Sequence, residues 1–199
     1  AVGKTAAVRY IETHAPYVHI SYEDNRDVLE EIRRRGLIKT RYEDYLEIQK
    51  LWLEKEIRRW EKAESYPCTI MDFGAEEIEF YTLHYPRTIG ENWEVEEPLR
   101  KELEAVKRCF PDRILFLDAS DSVLRQRKER DRTRSREFFE HHLKYLLPMK
   151  REWFFHMDCV DVLNTDNMTC EETGAYVKAW IDANLSGAVS PLYTDAKKN

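Results

Sequence analysis

Several signatures are missing from this sequence, and each absence narrows what the chain can be. No apolar run approaches the roughly 20 residues that a membrane-crossing helix needs. The four cysteines, Cys68, Cys109, Cys159 and Cys170, contain no C-x-x-C pair, so neither a zinc site nor a disulfide framework is expected. With no secretory leader pattern in view, a reducing, cytoplasmic setting is the expectation. No H-x-x-x-H pair places two histidines on one helix face, which argues against a metal cluster. Internal repeats and low-complexity linkers are also missing, which leaves one domain over residues 1–185 and a loose tail over 186–199. The complete phosphate-binding loop, G-x-x-x-x-G-K-[ST], is absent too: the chain opens AVGKT, and only Gly3, Lys4 and Thr5 fit.

What is present suits a globular chain. Of 199 residues, 42% are hydrophobic and 35% charged, a balance expected of amphipathic helices around a core. The net charge of −6 is uneven. Arg125 to Arg136 holds six arginines and one lysine against two acids, a net +5. An acidic chain with one arginine cluster suits a local anion site such as a polyphosphate, not a nucleic-acid face.

Periodicity predicts helices and short apolar strands in alternation. Helices are expected over 5–14, 25–36, 42–64 and 75–86, the last stopped by Pro86, and again after Pro98 and after Asp121. A long helical stretch with an interruption at Pro148 follows, and a last helix runs over 170–185. Strands are expected within PYVHISYEDN, YPCTIMDFG, PDRILFLDAS and CVDVLNTDN. On the helix over 42–64, Leu46, Leu53, Ile57 and Trp60 mark the buried stripe, and the charges are expected elsewhere. That helix is also the expected contact if the chain forms a homodimer. The alternation predicts an α/β fold, a parallel sheet with helices on both faces. A phosphate loop follows a strand, so a first strand and the front of the loop are expected upstream of residue 1.

In such a fold, Gly3, Lys4 and Thr5 open a helix whose amides can hold phosphate. Lys4 would reach the β- and γ-phosphates and Thr5 would place a hydroxyl on Mg²⁺. Ligands bind beyond the carboxyl ends of the strands. Glu23 and Asp72 stand there, each able to accept a hydroxyl proton or to hold a metal through water, while Asp118 is expected to serve its turn. Arg127, Arg130 and Arg132 are the arginines chosen for a lid over transferring phosphate, within 125–136. Phe80, Tyr81 and Trp93 are weighed as stacking surfaces for a planar substrate against the commoner role of aromatic core.

The order of these features resembles the deoxynucleoside kinase and thymidylate kinase branch of the P-loop kinases. It rests on GKT, Glu23, Asp72, the run SVLRQRKERDRTR, and Tyr145, Leu146 and Trp153 in REFFEHHLKYLLPMKREWF, over about Gly3 to Ile181. The resemblance implies ATP and Mg²⁺ as cofactors and phosphoryl transfer to a small-molecule acceptor, with neither nucleic acid nor membrane as partner. Lys4 and Thr5 would bind phosphates and metal. Glu23 would be the base, Asp72 the acid of the Asp/Glu-Arg motif, and Arg127, Arg130 and Arg132 the lid. Phe73 departs from the pattern, standing where the family has an arginine. A nucleoside or nucleotide acceptor is expected, with a sugar or an antibiotic still open. The alternative is a nucleotide-binding regulatory protein without transfer.

Overall fold

A computed structural model describes residues 2–130 and 136–187, and their side chains except those of 130, 136 and 137. Helix α1 (Lys4–His14) leads to strand β1 (His19–Ser21), then α2 (Arg26–Arg35) and α3 (Tyr42–Ala63). Strand β2 (Thr69–Met71) precedes α4 (Ala75–Thr88) and α5 (Arg100–Lys107). Strand β3 (Ile114–Asp118) precedes α6 (Asp121–Arg130) and α7 (Arg136–His141). A π-helical segment (His142–Leu146) joins α7 to α8 (Leu147–Phe155), and β4 (Val160–Asn164) and α9 (Cys170–Ser186) close the order. No helix among the described residues is long and apolar enough to cross a membrane.

The single expected sheet is instead two parallel pairs. β1 lies beside β2 with His19 opposite Thr69 and Ser21 opposite Met71. β3 lies beside β4 with Ile114 opposite Val160 and Asp118 opposite Asn164. No ladder joins the pairs among the described residues. They share a cover all the same: Ile20, Ile70, Leu115 and Leu117 pack on one cluster with Ala7 and Ile11 of α1, Ala15 just after it, and Val177 and Ile181 of α9. The two-residue alternation of a strand turns Ile114 and Phe116 to the opposite face, against Phe80 of α4, Leu124 of α6 and Phe154 of α8. Helices thus flank both faces of β3–β4.

Two prolines act differently from expectation. Pro86 does not stop its helix; α4 runs on to Thr88 with Pro86 inside it. A proline has no N–H for the carbonyl four residues back. Here that carbonyl, on Thr82, accepts instead from the Tyr45 hydroxyl of α3 at 2.9 Å, so the cost of the proline is offset by a neighbour. Pro148 coincides with the interruption expected there. The turn ahead of it widens to π geometry, with the Leu147 amide donating to the His142 carbonyl.

Helix α3 also corrects the sequence reading. Leu53 is fully buried, whereas Leu46, Ile57 and Trp60 are partly buried against the cluster it shares with α4 and α5. The charges do not lie elsewhere: Lys55, Glu56 and Arg59 are buried, Glu56 to 1% exposure. Bare charges do not survive burial, so these side chains must be paired.

Candidate functional site

The site begins at the N-terminus of α1. Gly3 has φ 97° and ψ 7°, the left-handed region in which any side chain would be strained. The turn it starts has neither a side-chain cap nor an acid. Its amides and the helix dipole favour an anion. Thr5 is exposed on this turn. Lys4 reaches across to α4, its Nζ 3.2 Å from Glu77 Oε2 and 5.4 Å from the centre of the Phe73 ring.

The strand register builds the second part. Pairing Ser21 with Met71 brings together the chain leaving β1 and the chain leaving β2. The Glu23 amide donates to Asp72 Oδ1 at 2.8 Å. Glu23 itself is exposed and accepts from Asn25 Nδ2 at 2.7 Å, while Asn25 Oδ1 accepts from Lys55 Nζ at 2.5 Å. Asn25 occupies the N-cap position of α2 but makes no side-chain cap there; its amide group serves Glu23 and Lys55.

Arg59 ties the two strand ends together. Its Nε donates to Ser21 Oγ at 2.9 Å, its Nη1 to the Phe73 carbonyl at 2.5 Å and to Glu56 at 3.1 Å, and its Nη2 to Asp72 Oδ1 at 3.3 Å and to the Ser21 carbonyl. Both contacts to Asp72 fall on Oδ1, so Oδ2 accepts neither of them. Burial pushes the Glu56 carboxyl up against the opposing pull of Arg59 and Lys55, and pushes the Lys55 ammonium down.

The third part lies under the first turn of α4. Lys150 of α8 is buried and forms an ion pair with Glu77 Oε1, so Glu77 bridges two lysines 73 residues away on either side. Burial and the nearby Lys4 charge hold the Lys150 ammonium well below its ordinary value. Glu76 is buried beside this pair, and its Oε2 has no hydrogen-bond partner among the described residues. Its carboxylate folds back to Gly74, where a Cβ would overlap it. Burial raises its pKa, opposed by its own amide and by the charges of Lys150 and Lys4. His142 Nδ1 lies 3.2 Å from the Tyr81 hydroxyl, and burial, with Lys4 second, lowers the imidazole to about 4.

The expected residues are therefore partly gathered. Gly3, Lys4 and Thr5 share one helix end, and Glu23 and Asp72 are joined through a backbone amide. Arg127 points elsewhere, donating to the Thr165 hydroxyl at 2.9 Å and the Thr165 carbonyl at 2.5 Å beyond β4. The Arg130 side chain and all of Arg132 lie outside the described residues. Asp118 serves its turn, accepting from the Ala119 amide at 2.9 Å and from Arg151. Phe80 is fully buried and cannot stack on a substrate, and Trp93 packs against Tyr45 with ring centres 5.2 Å apart.

Arg59, Glu76, Glu77 and Lys150 were not among the expected residues. A signal existed for Lys150: Leu143, Leu146 and Leu147 precede it at helical spacings and Phe154 follows four residues on, so a lysine interrupts an apolar stripe.

Magnesium binds through one or two carboxylates plus phosphate and water. Asp72 Oδ2 and the exposed Thr5 hydroxyl fit that chemistry, and no group of three His, Cys, Asp or Glu among the described residues forms a cage of its own. No protein-family model matches the chain, and no curated protein shows significant similarity to it.

Proposed function

We propose that the chain is an ATP-dependent kinase that transfers the γ-phosphoryl group to a hydroxyl or phosphate of a small molecule. A nucleoside or nucleotide is the leading acceptor class, and a sugar or an antibiotic the next. One observation carries the reading. An uncapped, glycine-led helix end bearing Lys4 adjoins the carboxyl ends of two parallel strands, where Glu23 and Asp72 are held together. That brings an anion site and a carboxylate pair to one place, as phosphoryl transfer requires.

When bound, ATP and Mg²⁺ would supply the phosphoryl group and offset its charge. The protein's part is positioning and electrostatics. Lys4 and the α1 amides hold phosphate oxygens. Thr5 and Asp72 are the residues that would hold the metal. Glu23, exposed and oriented by Asn25, takes the proton of the acceptor hydroxyl. A cytoplasmic setting belongs to this reading.

A second reading is nucleotide binding without transfer. It is favoured by Asp72, whose Oδ1 is already committed to Arg59 and the Glu23 amide. ADP release measured with and without a panel of nucleosides, nucleotides, sugars and aminoglycosides separates the two. Stimulation by one acceptor supports the kinase; tight ATP binding without acceptor-dependent turnover supports the switch. Lys4→Ala is expected to lower turnover at least about a hundredfold while the far-ultraviolet circular dichroism stays that of the parent. Full activity in Lys4→Ala would sink the ATP assignment.

A further inference from the structure

We infer that Lys150 is a second phosphate-binding lysine and that Glu77 is the internal anion it and Lys4 hold until phosphate replaces it. This rests on the kinase reading and adds to it the occupant of the site before nucleotide arrives.

The geometry has three features that a purely structural ion pair does not require. Two lysines from elements far apart in sequence converge on the two oxygens of one carboxylate. One of them, Lys4, stands on the first turn of α1, whose amides have no side-chain cap. And Lys150 sits among Tyr81, Phe116 and Phe154, its Nζ 5.7, 5.7 and 5.6 Å from their ring centres, on a face where an apolar side chain would pack at no cost in desolvation. Buried ion pairs gain little over apolar packing, so stability alone does not account for a lysine at this position. A phosphate offers the same lysines more charge and more acceptor oxygens than a carboxylate. Glu77 stands on the first turn of α4, and the exchange requires its side chain to rotate about its own bonds, away from both lysines. Binding is then an exchange: phosphate oxygens take Lys4 and Lys150, and Glu77 turns away.

The test is calorimetric titration of inorganic tripolyphosphate with Mg²⁺ into the full chain and its variants, with unfolding curves recorded in parallel. Lys150→Met is expected to weaken tripolyphosphate about tenfold or more, the loss of one charge-assisted hydrogen bond. Lys150→Arg should keep most of the affinity. Glu77→Gln should tighten binding several-fold, because the competing charge is gone. Unchanged affinity in both Lys150→Met and Glu77→Gln, with Lys4→Met still weakened, overturns the inference and leaves the kinase reading standing. No tripolyphosphate binding by the parent chain overturns the kinase reading and this inference with it. If Lys150→Met does not fold, Glu77→Gln decides: tighter binding supports the exchange, and unchanged or weaker binding overturns it.

Discussion

Arg59 shows how much of this site depends on a single side chain. Where the resembling kinases have an arginine beside the acid, this chain has Phe73. The guanidinium that meets Asp72 comes instead from α3, thirteen residues earlier in the chain. Its fork reaches Ser21, Glu56, Asp72 and the Phe73 carbonyl at once. A lysine has one compact charged head and cannot span those partners. Arg59→Met is expected to destabilise the fold by about 3–5 kcal/mol in urea unfolding, since Glu56 would stay buried and Asp72 partly buried without their cation. Arg59→Lys should recover only part of that. Lys4, Glu23 and Asp72 could be singled out as candidates in the sequence, because each stands at a helix start or strand end of the α/β pattern. Arg59 could not, since RR in an otherwise charged helix reads as a solvated face.

At the scale of elements, the direction of α1 decides where Lys4 points, and α9 sets that direction. The two helices meet closely at Gly174, where a Cβ would overlap the Tyr10 ring atoms. A side chain there must push α1 away from α9 or distort Tyr10. Gly174→Val is expected to cost about 1–3 kcal/mol in unfolding free energy, the range for overpacking. It should also weaken tripolyphosphate binding, although it lies far along the chain from Gly3. Thermal unfolding and the titration above measure the two effects. The helices themselves were largely legible. The end of α9 falls at Gly187 in the left-handed conformation, and its start carries a reciprocal cap between Thr169 and Glu172. Pro86 was misread because the donor that satisfies the Thr82 carbonyl belongs to another helix, and no local pattern announces it.

On the scale of the whole molecule, one apolar cluster packs α1 and α9 on the strands, a second packs α4, α6 and α8 on the opposite face of β3, and a third joins α3, α4 and α5. The charged side chains of α1, α3, α4 and α8 meet beside these clusters, and His142, close to them, couples global stability to pH. His142 is half-buried beside Tyr81, with Lys4 and His141 adding positive charge nearby. Its imidazole stays neutral in the folded chain down to about pH 4, while in the unfolded chain it takes a proton near its ordinary 6.5. Between those values the unfolded chain binds more protons, so this contribution to stability is complete above pH 6.5 and is lost as the pH falls toward 4. The loss is on the order of 2 kcal/mol after allowing for partial exposure. Urea midpoints at stepped pH should show it, and His142→Gln should flatten that part of the profile.

The order of helices and strands, the parallel α/β character and the placing of Glu23 and Asp72 past the ends of β1 and β2 were determined by the sequence itself. Local periodicity, caps and strand-end residues suffice for these, because each is written within a few consecutive positions. Only the tertiary structure decided that the strands form two separate pairs, that Arg127 is drawn to Thr165, and that Lys4 and Lys150 meet on Glu77. Those outcomes depend on which distant elements come into contact, and on the rule that a charge carried into the interior must find its partner there.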